Sequence, residues 1–405
     1  MKIVFVAGGW IRVPPQKGGG AEAFILNLAK QLTKMGHEVT LLDRKYDNND
    51  RDVEYIEEIK IVRLKSARIK HFSFTINFVL TQILFGLQVN KWLKKVDYLN
   101  IHVYNVVLGL VVALRSKKIR NRLFYTSIGL RRDKVIPSFT DRVAYVLENN
   151  LVRMAKKTTI ANEITARKLV EQARVKPEKV QVIPIGVDIE QFRPDHDTSL
   201  VSNKYDLKGK RNILFVGRIC FEKGVEYLVK AADILVNQLG EKNVQFLIVG
   251  PREQFDPKRN VISSYTAKMI NLVNERKLHR IMQFTGAVPI DDLTKLYSAC
   301  DMVLIPSIVD LDPQVQIEAM ASGKPVIGTN IGTMPRRIVD GMSGFIVVPA
   351  NEQQLALKIK YILDNPAEMR KMGDYARRLV DEKYSSNMMA ERMLHVFDLV
   401  SGDNF

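Results

Sequence analysis

The sequence predicts an α/β protein of two parallel-sheet domains, and three observations carry that prediction. Short runs that are apolar throughout alternate with helix-length amphipathic segments, the pattern of parallel strands covered on both faces. The unit of strand, glycine-bearing loop and long helix occurs twice, at residues 3–36 and again at 213–240. The chain has 405 residues, more than one ordinary core accommodates. A hydrophobic content of 46% and a charged content of 26% describe a soluble globular chain.

The N-terminal MKIVFVAGGW carries one lysine and then a short apolar run. It lacks the apolar length and cleavage site of a signal peptide and reads as a buried first strand, IVFVA (3–7). The loop KGGGAEA (17–23) opens a helix with three glycines, where backbone amides can approach a ligand closely. No Lys-Ser/Thr follows, so it is not a P-loop, and the spacing is not that of G-x-G-x-x-G. The helix over 21–36 ends at Gly36, and VTLL (39–42) is the next strand.

Residues 72–90, FSFTINFVLTQILFGLQVN, contain no charge. Lys65, Arg68, Lys70 and His71 precede them; Lys91, Lys94 and Lys95 follow. A membrane span needs about 20 mainly apolar residues. Ser73, Asn77, Thr81, Gln82 and Gln88 interrupt this one, while Ile76, Leu80, Ile83, Leu84 and Leu87 make a helical stripe. The pattern favours a helix packed by that stripe on the first domain over one that touches a membrane, and both over a full span. In DYLNIHVYN, His102 stands at a strand end; by residue type alone such a histidine is structural more often than functional. Residues 115–134 are strongly basic, with Arg115, Lys117, Lys118, Arg120, Arg122, Arg131, Arg132 and Lys134 against Asp133 alone.

A polar stretch over 191–211 containing Pro194 is read as the domain boundary. Beyond it, ILFVG (213–217), VQFLIVG (244–250), MVLIP (302–306) and PVIG (325–328) are strands, and 225–240 is a helix stopped by Gly240. Residues 367–400 are helical in pattern. Open parallel sheets bind ligands beyond the carboxyl ends of their strands, so the loops there matter most. GRICFEKG (217–224) sets Arg218 and Lys223 between a strand end and a helix start, a pair of cations suited to a diphosphate, though exposed basic residues are common in so basic a chain. In PSIVDLDPQVQIEAMASGKPVIG (306–328), Asp312 can cap a helix begun by Pro313 and stopped by Gly323. Glu318 then lies in its second turn and Asp310 in the loop before it; carboxylates there suit the hydroxyl donors of a sugar. Cys220 and Cys300 cannot form a disulfide framework, and no Cys/His cluster has metal-ligand spacing.

Six segments in register resemble the retaining GT-B glycosyltransferases of the large family 4 group. They are the G-G-G-A-E loop (18–22), VIPIGVDIEQF (182–192), FVGRICFEKGVEYLVKA (215–231), FTGAVPIDDLTKLYSACDMVLIPS (284–307), EAMASGKPVIGT (318–329) and VDGMSGFIVVP (339–349). The resemblance implies two Rossmann-like domains facing a central cleft. An N-terminal acceptor domain would span 1–190, a nucleotide-sugar donor domain 205–380, and a C-terminal helix over 381–405 would return to the first domain. It also implies roles. Arg218 and Lys223 would hold the donor diphosphate, Glu318 the nucleotide ribose and Asp310 the donor sugar. Gly18, Gly19 and Gly20 would close over the phosphates, and Gly217, Gln314 and Val315 would complete the donor contacts. His102 would be the active-site histidine. Three positions depart from the family pattern: Ile185 stands for asparagine, Ile128 in YTSIGL for the histidine of T-x-H-G, and Asp310-Leu311-Asp312-Pro313 for E-G-F-G or E-G-x-P.

The activity so implied is metal-independent hexosyl transfer from a nucleoside diphosphate sugar to a hydroxyl, with retention and no cofactor. The departing phosphate would take the acceptor's proton, and His102 would position the sugar. The formal charge of +17 draws such a chain to polyanions or anionic membranes. Basic clusters at 60–71 and 115–134 beside an uncharged helix point to anionic lipid, to a lipid-linked or cell-envelope acceptor, and to a cytoplasmic location peripheral on the inner face of the membrane. The rival readings are a non-catalytic sugar-nucleotide binder, an epimerase of nucleotide sugars whose residues are not seen here, and a nucleic-acid binder that only the charge encourages. Nucleic acid is not expected as a partner.

Overall fold

Largely apolar, β-branched runs form the strands of two sheets, and helices follow most of them; the second, third and fourth strands succeed one another directly. The computed structural model describes residues 1–15, 20–98, 100–128, 138–251 and 264–401. Gly18 and Gly19, the basic residues 131–134 and the segment 252–263 lie outside these. The chain divides into two units: residues 1–185 with 386–405, and residues 186–385.

In the first unit, β1 (Lys2–Val6) leads through Gly20 into α1 (Gly20–Lys34), then β2 (Glu38–Arg44), β3 (Val53–Ile56) and β4 (Ile59–Leu64). There follow α2 (Phe74–Leu93), β5 (Asn100–Val103), α3 (Val106–Ala113), α4 (Lys117–Arg120) and β6 (Leu123–Ser127). The unit continues with α5 (Phe139–Met154), β7 (Lys157–Ile160), α6 (Glu163–Ala173) and β8 (Val180–Val182). The sheet order is β3-β4-β2-β1-β5-β6-β7-β8, parallel except for the β3–β4 pair. The order reverses between β1 and β5, where Phe5 pairs with His102.

In the second unit, α7 (Ser199–Lys204) precedes β9 (Arg211–Val216), α8 (Val225–Asp233), β10 (Val244–Val249), α9 (Ser264–Glu275) and β11 (Met282–Gly286). Then come α10 (Ile290–Ala299), β12 (Met302–Ile305), α11 (Gln314–Ala321), β13 (Val326–Thr329), α12 (Met334–Arg337) and β14 (Gly344–Val347). Helices α13 (Glu352–Asp364) and α14 (Pro366–Lys383) finish the unit. The all-parallel order β11-β10-β9-β12-β13-β14 is that of a dinucleotide-binding sheet, with its reversal between β9 and β12. Helix α15 (Ser386–Ser401) belongs to the first unit. Its Met389, Met393 and Phe397 pack with Ile25, Leu28 and Phe124, and Asn27 Nδ2 donates to Ser386 Oγ at 2.7 Å.

The first unit ends at Ile185, ahead of the 191–211 stretch in which the sequence places the boundary. Val187 and Phe192, though near polar residues, are buried in the second unit's core against Leu214 and Tyr297. Arg377 holds this approach to the second sheet by donating from Nη1 to the carbonyls of Ile189 and Phe192, at 3.1 and 2.9 Å.

Candidate functional site

In the second unit the polar groups gather at the carboxyl ends of β9 and β12, on either side of the order reversal. After β9 the chain passes Gly217 and the exposed Arg218, then makes a single turn over Phe221–Lys223. Gly224 ends that turn at φ +68°. A Cβ there would lie 1.9 Å from the Pro306 carbonyl oxygen, so only glycine lets this turn rest on the loop after β12. Ile308 and Val309 donate their N–H groups to the Glu222 carbonyl at 2.8 and 3.1 Å, which locks the two loops together. The result brings Lys223 Nζ onto Asp310 as a part-buried ion pair. The Arg218 carbonyl accepts from Cys220 N at 3.1 Å, and its guanidinium forms no ion pair or hydrogen bond among the described residues, so it remains a cation on the same loop as Lys223.

The loop carrying Asp310 is fixed from its other side as well. Asp312 does not cap α11; Pro313 is the N-cap and no side chain bonds the first turn. The Asp312 carboxylate is instead taken by the buried Arg337 at 2.7 Å and by the Thr333 hydroxyl at 3.0 Å. Burial pushes the Asp312 carboxyl up, and Arg337 is the first of the groups that oppose the rise. Thr333 N–H donates to the Leu311 carbonyl at 2.9 Å, and a Cβ on the neighbouring Gly332 would meet the Asp310 carbonyl oxygen at 2.3 Å. Backbone contact on two sides therefore determines where Asp310 stands.

Helix α11 carries Gln314 and Val315 in its first turn and Glu318 in its second. Gln314 turns back to its own loop, with Nε2 3.4 Å from the Asp312 carbonyl oxygen, and Val315 packs half-buried on the core. Glu318 is half-buried, and its Oε2 accepts a 2.7 Å hydrogen bond from the Tyr297 hydroxyl. Burial raises the Glu318 carboxyl and Tyr297 opposes the rise. One carboxylate oxygen is thereby held and the other left to accept from a ligand. Among the described residues no group of three His, Cys, Asp or Glu side chains could hold a metal ion.

In the first unit the expectation for His102 fails. Its ring is fully enclosed, packed edge-on against Phe5 at 5.0 Å and near Phe397 at 6.2 Å. Nε2 shares a 2.5 Å hydrogen bond with the Thr126 hydroxyl, which in turn meets Thr159. Burial lowers its pKa to about 3, so the ring is neutral at ordinary pH. A side chain in the middle of β5 between two covered faces cannot touch a substrate; His102 is a core residue.

Two residues on, past the end of β5, the sequence reading missed Tyr104. Its hydroxyl is buried yet makes no hydrogen bond among the described residues. Burial, with Glu22 and Asp43 next in order, raises this phenol's pKa. Glu22, in the first turn of α1, is itself buried and raised by burial, and its Oε1 lies over Gly8 just beyond β1. Asp43 is sealed by Val13 N at 3.0 Å and Arg63 Nη1 at 2.7 Å, so it is spoken for. The orphan hydroxyl of Tyr104 and the acid of Glu22 thus occupy the carboxyl end of the β1/β5 reversal, the ligand position of such a sheet. The available signal was the strand end: Val103 closes β5, so the ligand side begins at position 104. Ile128, after β6, packs on the apolar core around α1 and α15.

Residues 18–191 match the family model Glycosyltransferase Family 4, and residues 199–379 match Glycosyl transferases group 1. The chain is 24% identical over 368 residues to the D-inositol 3-phosphate glycosyltransferase of Corynebacterium aurimucosum, covering 88% of this chain and 86% of that one. It is 26% identical over 416 residues to spore coat protein SA of Bacillus subtilis, covering 98% and 99%. Among solved structures it matches sucrose-phosphate synthase from Thermosynechococcus elongatus with a TM-score of 0.78 and 24% identity over 99% of both chains. It matches Anabaena HepE in complex with UDP with a TM-score of 0.75 and 20% identity, over 98% of this chain and 100% of that one.

Proposed function

We propose, for a chain that belongs to the GT-B glycosyltransferases of the family 4 and group 1 type, that the sugar comes from a nucleoside diphosphate donor held by the second unit. We further propose that it passes to a hydroxyl with retained configuration. The observation that carries this reading is the Lys223–Asp310 pair at the β9/β12 reversal, with Arg218, whose side chain pairs with none of the described residues, on the same loop. An ammonium has three donors. Lys223 can therefore keep Asp310 in place while donating to a phosphate oxygen, and Arg218 supplies a fork to the same diphosphate. As the bond to the sugar breaks, both cations oppose the charge that gathers on the leaving phosphate, with no metal required of the described residues. Asp310 accepts from a sugar hydroxyl and the second oxygen of Glu318 from the ribose. That the Anabaena neighbour is in complex with UDP supports a nucleotide ligand here.

The acceptor belongs to the first unit in this reading, at the end of β1 and β5, where Tyr104 and Glu22 stand. A lipid-linked or cell-envelope glycan suits the basic surroundings. The donor is tested by thermal unfolding with UDP-, GDP- and ADP-sugars. One of them should raise Tm by mass action, roughly 2.7 kcal/mol of stabilisation at a hundredfold excess over Kd. Arg218→Glu should abolish that rise while leaving the unliganded Tm unchanged. Equal stabilisation of the variant overturns the phosphate assignment.

A further inference from the structure

Helix α2 buries Phe85, Val89 and Leu93 in the core, but it buries polar residues beside them and leaves large apolar ones exposed. Thr81, Gln82 and Asn90 are buried. Thr81 Oγ1 accepts from Ile69 N at 3.1 Å, Gln82 Nε2 donates to the Gly8 carbonyl and Asn90 Nδ2 to the Val111 carbonyl. Ile76 and Leu87, two members of the stripe that the sequence assigns to the core, are exposed instead, Leu87 at 53%. Phe72 and Phe74 stand out from the start of the helix, Phe74 at 71%. The Asn77 side chain bonds both the N–H and the carbonyl of Phe72, so this presentation is built and not frayed.

The neighbouring helices extend the same surface. Helix α2 packs on α3, and α3 on α5. Helix α3 is VVLGLVVA, without a charge, and Leu114 just beyond it is exposed. Phe139, Val143 and Val146 of α5 lie at i, i+4 and i+7 and are all exposed, Phe139 at 81%. The outer face of a helix layer in water should be charged, and one this apolar marks an interaction site.

Cations frame the layer at both ends. Arg68 and Lys70 stand before α2, with Arg68 over the ring of Trp10 at 4.5 Å; Lys91, Lys94 and Lys95 stand at its far end. None of these five pairs with a carboxylate among the described residues. Beside that far end a cavity of about 410 Å³ is lined by Lys94, Arg115, Lys118 and Arg122, with Asp97 as its one acid. An apolar slab bounded by unpaired cations complements a surface with an apolar interior and a rim of phosphates.

We propose that the α2–α3–α5 face docks on an anionic phospholipid bilayer, helices in the plane of the surface, with cations on the lipid phosphates. No described helix is long and apolar enough to cross a membrane, which agrees with lying on it. The start of α2 reaches the candidate acceptor end through Trp10, which packs on Phe74 and Phe78 at 5.5 and 5.3 Å, and through Gln82 on Gly8. The inference thus deepens the lipid-linked acceptor proposed above and rests on that reading only for its use in transfer.

Vesicles of phosphatidylcholine with phosphatidylglycerol, against phosphatidylcholine alone, test it by co-sedimentation without donor. The chain's two tryptophans, Trp10 and Trp92, both lie in this region, so brominated acyl chains read contact directly. The native chain should sediment with the anionic vesicles and be quenched. The triple variant Ile76→Gln, Leu87→Gln, Val146→Gln should lose partitioning roughly tenfold or more with Tm unchanged. The pair Lys94→Glu, Arg115→Glu should lose the preference for anionic lipid. Failure of the native chain to sediment, or equal binding by the triple variant, overturns the proposal. So does a concentration-dependent dimer abolished by the triple variant without vesicle binding, which would give the face to a second copy. A chain that binds vesicles but shows no donor-dependent thermal shift fails the transfer reading alone.

Discussion

His102 and Tyr104 stand two positions apart, one sealed in the sheet and the other past its end with a buried hydroxyl that has no hydrogen-bond partner among the described residues. Substitution separates the two roles. Tyr104→Phe removes no hydrogen bond seen among the described residues, so the free energy of unfolding should hold within about 0.5 kcal/mol while kcat falls. His102→Leu should leave KM and kcat near native and change acid stability instead. The folded ring has a pKa of about 3 against 6.5 when unfolded, so the unfolded chain binds the extra proton between those values. The native chain therefore loses stability as pH falls from about 6.5 towards 3, and the leucine variant should lose less. Unfolding midpoints at pH 7 and pH 4.5 check this; an identical decline in both proteins would return His102 to the list of candidate actors. Glu318 carries its pH dependence into ligand binding rather than stability. Burial raises its carboxyl, so donor affinity that needs the carboxylate should begin to fall above the ordinary carboxylate range as pH is lowered. Glu318→Gln should remove that pH dependence in a titration of donor affinity.

At the scale of elements, the loop between β12 and α11 is held by neighbours more than by its own residues. Gly224→Ala would force a left-handed backbone on alanine and drive its Cβ into Pro306, so the 306–310 loop must move. We expect a loss of about 1–3 kcal/mol in stability and a larger proportional loss of donor affinity than of Tm. The Asp312–Arg337 pair allows a cleaner test. Arg337→Met strands a buried carboxylate and should cost about 3–5 kcal/mol, whereas the double variant with Asp312→Asn should recover part of it. These supports explain what the sequence could and could not show. Runs as apolar as VQFLIV, with one glutamine, and MVLI mark β10 and β12 within a residue, because parallel strands covered on both faces are mostly apolar. The cations of 217–224 and the acids of 306–328 were legible because ligand loops follow strand ends. The capping role read for Asp312 was misassigned because Arg337 lies 25 residues away and no local spacing reveals it. The stripe of α2 was turned the wrong way for the same reason: the buried side is set by Gly8 and Val111, distant carbonyls that claim Gln82 and Asn90.

For the whole molecule, the C-terminal helix poses the sharpest question, because the chain leaves the second unit at Ser385 and gives its last helix to the first. Phe397 is fully buried there, edge-on to Phe124 at 4.6 Å and near His102. Met389, Met393 and Val396 complete one apolar side against α1. This helix closes the face of the first sheet opposite α2, α3 and α5, so the first unit's core is incomplete without residues from the far end of the sequence. Phe397→Ala should therefore cost about 3–5 kcal/mol, as a large core truncation does. The loss should appear in probes of the first unit, such as Trp10 and Trp92 fluorescence, both of which belong to it. Donor affinity, assigned to groups of the second unit, should stay within about threefold of native at a temperature where the variant is folded. Fluorescence-detected unfolding and donor titration on the same variant decide the matter. A fall in donor affinity matching the loss of stability would mean that the last helix supports the donor loops as well, and that the two cores do not answer separately to their own residues.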